Sequence, residues 1–222
     1  MPATYYLFWL LVPTLFAVVS AHPSILIVAV IAFVARRWIP DPISYVRHAG
    51  RVRSLQQQVD VNPANAVARA QLGEIWLAKR RPRRAIPMFE QALERDRGSA
   101  ELHYLLGLAR LRGGDAEAAL PPLSEALAKE PKVRYGNAYL AIGEALAKLG
   151  RLDEAIDAFE RFLKINTSSL EGYARLANAR SRKNDEAGAA DARKQAFETY
   201  RVLPPFQRRK QLGWWLRLKL SG

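Results

Sequence analysis

Small and apolar residues recur along this chain at a nearly constant interval. The pairs Leu72-Gly73, Leu106-Gly107, Ile142-Gly143 and Leu176-Ala177 are separated by 34, 36 and 34 residues. Twelve positions after each small residue stands an alanine (Ala85, Ala119, Ala155 and Ala189), and seven further on come Ala92, Ala126, Phe162 and Ala196. Two columns in the same register define a repeated unit. Each unit breaks once in its middle, at Arg81-Pro82, Gly113-Gly114-Asp115, Leu149-Gly150-Arg151 and Lys183-Asn184-Asp185. Proline in a first turn, or glycine and asparagine at a stop, punctuates helices in this way. The pattern therefore predicts two helices per unit. Asp115 and Asp185 are expected as N-caps, and Ser168 with Glu171 as a capping box. Glycine or alanine at the eighth position lets the two helices of a unit cross closely, and alanine at the twentieth fits the same contact from the other side.

The ends of the chain carry different patterns. Tyr5 to Ala21 and Ser24 to Ala35 hold no charged residue. One helix over both would be about 46 Å long, against a hydrocarbon core of about 30 Å. Pro13 and His22-Pro23 also argue against one straight rod. A transmembrane helical hairpin, with helices over 4–21 and 24–38, accommodates both breaks; a single kinked span and a signal peptide cleaved after Val19-Ser20-Ala21 are the alternatives. The only basic cluster beside the apolar region follows it: Arg36, Arg37, then Arg47, Arg51 and Arg53. The positive-inside rule places the rest of the chain in the cytoplasm under either membrane topology. Residues 39–63 read as a juxtamembrane linker and an arm helix, Val52 to Val61, that covers the first repeat.

The repeat resembles the tetratricopeptide repeat family, whose unit is two antiparallel helices in about 34 residues. Leu72, Gly73, Trp76, Ala85, Phe89 and Ala92 match the family's packing positions in the first unit. The second has Leu106, Gly107, Ala119, Leu123, Ala126 and the closing Pro131, with Arg110 in place of a large apolar residue. The third has Tyr139, Ile142, Gly143, Leu146, Ala155 and Phe159, with Phe162 where a small residue is usual. The fourth keeps Tyr173, Leu176, Ala177, Ala189 and Ala196 but sets Arg180 and Arg193 at apolar positions. The resemblance implies an all-α right-handed superhelix over residues 64–203, with repeats at about 66–99, 100–133, 136–169 and 170–203. It also implies a concave face lined by the first helices, here including Glu74, Leu77, Tyr104, Leu108, Asn137, Leu140, Glu144 and Asn178. The family's clamp of lysine and asparagine for a peptide carboxylate is not apparent. These residues are apolar and mildly acidic, which suits an amphipathic helix or extended peptide carrying basic groups.

Charge refines the picture at the ends. The net charge is +13, yet residues 100–169 are close to neutral and the excess flanks them. A duplex-binding domain spreads basic residues over one face; here they adjoin the apolar terminus and the tail, so membrane proximity is expected and nucleic acid is not. Arg36, Arg37, Arg80, Arg81, Arg83, Arg84, Arg208, Arg209 and Lys210 are the candidate lipid or anion contacts. Cysteine is absent, which excludes thiolate metal sites and cysteine nucleophiles. There is no Walker loop, HExxH or nucleophile elbow, and His22, His48 and His103 are scattered. No cofactor, metal site or enzymatic activity is expected. The expectation is a protein-binding scaffold anchored in a bacterial inner membrane and facing the cytoplasm. A periplasmic assembly chaperone and an RNA-associated membrane protein are the alternatives.

The last segment, 204–222, opens on Pro204-Pro205 and contains five basic residues and no acid. A solenoid's last unit leaves an apolar face that a terminal helix must cover. At about 100° per residue Leu212, Trp215 and Leu216 form one stripe and Trp214 with Leu218 another. Lys219 interrupts the first stripe, so the segment reads as a capping helix that still offers something outward.

Overall fold

The computed structural model describes residues 42–220. The apolar segments expected over 4–21 and 24–38, with Arg36 and Arg37, lie outside them. Among the described residues there are ten α-helices, one 3₁₀ turn and no strand, and no helix is long and apolar enough to cross a membrane. By packing the chain divides into residues 1–51 and 52–222; the second unit is described below.

Helix α1 (Pro42–Val61) enters this unit with Leu55, which is buried against Ala68, Leu72 and Ile75 with Val52 and Val59 half-buried beside it. Four helix pairs follow: α2 (Ala66–Ala78) with α3 (Pro82–Arg95), α4 (Ala100–Arg112) with α5 (Ala116–Lys129), α6 (Asn137–Lys148) with α7 (Leu152–Ile165), and α8 (Leu170–Arg182) with α9 (Glu186–Val202). The final helix is α10 (Pro205–Leu220). Each pair packs on itself and on the next pair, producing one stacked array.

The starts of these helices follow local chemistry. Asn65, Ser99, Asp115, Ser169 and Asp185 each accept a hydrogen bond from the backbone N–H three residues on. Pro82 opens α3 at a position whose N–H would have no helical partner. The expected capping box is displaced: the cap of α8 is Ser169, and Glu171 bonds Arg175 while the Ser168 hydroxyl donates to Asn166. Ser169 wins because its side chain sits three residues before the free N–H of Gly172.

Within the first three pairs the helices cross at the glycine, and in the fourth at the buried Ala177. A Cβ placed on Gly73 would sit 2.5 Å from the Phe89 ring, one on Gly107 2.5 Å from Leu123, and one on Gly143 2.5 Å from Phe159. Between pairs, Phe162 is almost fully buried despite occupying a position where small residues are usual. Its room comes from Gly172, whose hypothetical Cβ would lie 2.7 Å from that ring. The first unit has the opposite assignment, a buried Ala92 with a buried Leu102 ten residues later. Volume is exchanged across the junction and the core stays filled.

The arginines at apolar positions are accommodated by hydrogen bonding. Arg110 donates to the Ala118 carbonyl at 3.1 Å and to Glu90 at 2.9 Å. Arg180 repeats the arrangement, donating to the Gly188 carbonyl at 3.0 Å and to Glu160 at 2.7 Å. In the second unit the acceptor is one that the helix leaves free: Pro122, inside α5, has no N–H to offer the carbonyl four residues before it, which is Ala118. Arg193 has no equivalent arrangement, and its Nε is buried without a hydrogen-bond partner.

Candidate partner groove

The two residues that lengthen one interval from 34 to 36 lie at the junction of the second and third pairs. There the chain forms a 3₁₀ turn, Val133–Gly136, in which Arg134 (φ 48°), Tyr135 (φ 56°) and Gly136 (φ 78°) are all left-handed. For a non-glycine residue that conformation costs on the order of 1 kcal/mol. Val133 is buried and anchors the turn, and Tyr135 is 82% exposed. Arg134 reaches back across the inner face, donating from Nε to Glu101 at 2.6 Å and from Nη2 to Glu74 at 2.9 Å. One side chain thus ties the third unit to the first and second. The hydrogen bond to Glu101, followed by the attraction of both carboxylates, raises the pKa of Arg134 above its ordinary value, so it stays charged.

The remaining acids of this face are paired as well. Glu144 lies 3.1 Å from Arg175 and 3.3 Å from Lys148, and Arg175 also holds Glu171 at 2.8 Å. The expected acidic character is therefore largely neutralised from within. Tyr104 is buried beside these groups, and burial raises its phenol pKa above 10.0 against the opposing pull of Arg134.

Two hollows remain on the first helices. One, about 470 Å³, is bounded by Val67, Ala70, Glu74, Glu101, Leu105 and Arg134. The other, about 630 Å³, is lined by Leu77, Ala78, Pro82 and Leu108 together with Arg80 and Arg112. Both arginines are exposed. Leu77 and Leu108, both half-buried, line this same hollow, while Tyr104 is buried and Leu140 is half-buried against another hydrophobic cluster. Asn137 is half-buried at the start of α6.

Asn178 belongs to a different place. The inner positions Ala174, Asn178 and Ser181 share a 300 Å³ cavity with Trp214, Arg217 and Leu218 of α10. That helix runs along α8. Gln211 accepts from the Leu170 N–H at 2.7 Å and donates to the Ser168 carbonyl at 2.9 Å. Trp215 stacks on Tyr200 with ring centroids 5.6 Å apart, and its edge meets Phe197. Leu218 is buried. The tail thus occupies the fourth unit's share of the inner face, and Trp215 lies on its packed side rather than with Leu212 and Leu216.

The basic positions fall into separate groups. Arg80, Arg81, Arg83 and Arg84 are exposed around the turn between α2 and α3. Trp76 lies there between Lys79 and Arg84, whose charges are 5.6 and 5.0 Å from its ring centroid. Arg208 is engaged in structure: it donates to the Leu203 carbonyl at 2.8 Å and to that of Arg201, closing the end of α9. Arg209 and Lys210 are exposed. Among the described residues no cluster of histidine, cysteine or carboxylate side chains could hold a metal ion, and the His103 ring bonds the Arg97 carbonyl at 3.1 Å. The partnering role of Arg134 was not among the sequence expectations; the lengthened interval was its visible signal.

Sequence models described as tetratricopeptide repeat match residues 71–134 and 136–179. The DnaJ homolog subfamily C member 3 of Bos taurus is 35% identical over 101 residues, covering 46% of this chain and 20% of that protein. Its counterpart in Rattus norvegicus is 33% identical over 125 residues, 55% of this chain and 24% of that one. This chain therefore spans no more than about a quarter of those relatives. Among solved structures, a crystal structure of MamA is similar with a TM-score of 0.63 at 26% identity, over 67% of this chain and 85% of MamA. YrrB, described as a TPR protein with an unusual peptide-binding site, gives a TM-score of 0.61 at 22% identity over 71% of this chain and 80% of YrrB, a likeness of fold.

Proposed function

Because this chain belongs to the tetratricopeptide-repeat family, we propose that it is a non-enzymatic adaptor whose inner face holds a segment of a partner protein. The segment is an amphipathic helix or extended peptide with apolar side chains and acidic flanks. One observation carries this reading: the inner carboxylates are paired internally, whereas the hollow lined by Leu77 and Leu108 is also lined by the exposed cations Arg80 and Arg112. A basic ligand, the expectation from the residue types at the inner positions, would have to break those pairs. An acidic one meets exposed cations, and such charges act chiefly on association rate and selectivity.

Residues 1–38 would hold this adaptor at a membrane with the array on the cytoplasmic side, a reading supported by the two uncharged runs and the arginines that follow them. Carbonate extraction of the full chain, with protease access tested from each side of the membrane, examines that part.

The groove is tested by site-specific photo-crosslinking in cells, with the crosslinker at the exposed Ala78. Arg80→Glu with Arg112→Glu should abolish crosslinks seen with the parent chain while the thermal unfolding midpoint stays within about a degree, as expected for exposed substitutions. Identical crosslinked partners in parent and variant would dispose of the groove. Tyr104 and Leu140 are unsuitable targets, since charge reversal there would disturb the core.

A further inference from the structure

The outward face of α10 is built like a membrane-surface helix, and nothing in the packed array uses it. Placed at about 100° per residue, the residues that dock on the repeats (Gln211, Trp214, Trp215 and Leu218) occupy one side. The opposite side carries Phe206, Leu212, Leu216 and Leu220, which are 61, 45, 45 and 87% exposed. Leu212, Leu216 and Leu220 are spaced four apart and form a continuous ridge. Lys210 and Arg217 border that ridge on one flank, Arg208 and Lys219 on the other. Arg209 lies within it, one turn before Leu212, where a long stem can lift its guanidinium to the level of headgroups.

The docked tryptophans account for the apparent irregularity of the sequence stripe. Once Trp215 is assigned to the packed side, Lys219 no longer interrupts an apolar surface; it edges one. The flanking cations are held near rings: Arg217 is 4.6 Å from the Trp214 centroid, Lys219 5.3 Å from Trp215 and Lys210 5.9 Å from Phe206. The helix itself contains no carboxylate. An apolar ridge with basic flanks is the arrangement by which a helix lies in the interface of an anionic bilayer. Docking of the other side on α8 and α9 fixes the helix before any membrane is met, so little ordering cost remains at binding.

We propose that the outward ridge of α10 docks on an anionic lipid surface, with Leu212, Leu216 and Leu220 entering the interface and Arg209, Lys210, Arg217 and Lys219 meeting lipid phosphates and carboxylates. This goes beyond the groove reading and shares no residue with it, so either can fail alone.

The chain has no native cysteine, which permits a single local label. Full-length protein carrying Leu216→Cys with an environment-sensitive fluorophore is mixed with vesicles of phosphatidylcholine alone, or with added phosphatidylserine. Because the label reports its own surroundings, attachment through another segment does not register. The expected result is an emission increase of about twofold or more with the anionic vesicles, none with phosphatidylcholine alone, and none at a Lys194→Cys control on α9. Arg209→Gln with Lys210→Gln should weaken docking about 30-fold. Both residues are exposed, so an unchanged unfolding midpoint separates lost docking from lost folding. No change with anionic vesicles, or equal changes with both lipids, would overturn the proposal. An increase that appears without lipid and scales with protein concentration would overturn it in favour of self-association.

Discussion

Arg110 shows how an apparent misfit is resolved by hydrogen bonding. A charged residue at an apolar position ordinarily carries a desolvation cost. Here Pro122 leaves the Ala118 carbonyl without its helical donor, and the guanidinium supplies one. A double-mutant cycle tests the pairing. Arg110→Met is expected to cost about 1–2 kcal/mol in urea denaturation, because an acceptor loses its donor. With Pro122→Ala the backbone donor returns, and the cost of Arg110→Met should fall by about half or more; equal costs in both backgrounds would refute the account. The exchange between Phe162 and Gly172 is the apolar counterpart. Each residue departs from the usual pattern when seen alone, and together they conserve volume.

At the scale of elements, the turn Val133–Gly136 determines the electrostatics of the inner face. Arg134 lies 33 residues from Glu101 and 60 from Glu74, separations that no local pattern links. The helices themselves were legible, because glycine, alanine, aspartate and proline act within a few residues of where they stand. Groove charge was not legible, because it depends on which side chains meet across units. The tail was legible as a helix and a cover, but not by face, because both of its sides are apolar and only docking distinguishes them. Tyr104 supplies a titratable reporter of this region. Its folded pKa is raised by burial, so the folded state retains the proton that the unfolded state releases first. Stability from this group is full below about pH 10 and is lost as pH rises toward the folded value. Tyr104→Phe should therefore flatten the decline in stability above that pH, as read by urea midpoints across an alkaline series. A decline unchanged by the substitution would show that Tyr104 does not contribute to it.

For the whole molecule, stability should vary along the array, since helix packing joins each unit to its neighbours and the Arg134–Glu74 pair is a longer link at the array's first half. Leu203 and Leu218 are buried near the end, where Trp215 covers Tyr200 and Phe197. Removing residues 204–222 uncovers α8 and α9 and withdraws the Gln211 bonds at the start of α8. Hydrogen exchange should then show the opening free energy of α8 and α9 falling by about 3 kcal/mol or more, with α2 to α5 little changed. Uniform loss along the array would instead indicate a single cooperative block.

The odd junctions have one more consequence. A chain of four similar helix pairs faces the hazard of pairing out of turn, one unit seated on the wrong neighbour within the chain or from another copy. Phe162 packs against Gly172, where a side chain would crowd its ring, and the lengthened turn that carries Arg134 spaces the third pair as no other interval between the repeats does. These departures act as keys cut differently for each lock, so the order of the units is written into their contacts as well as into the chain.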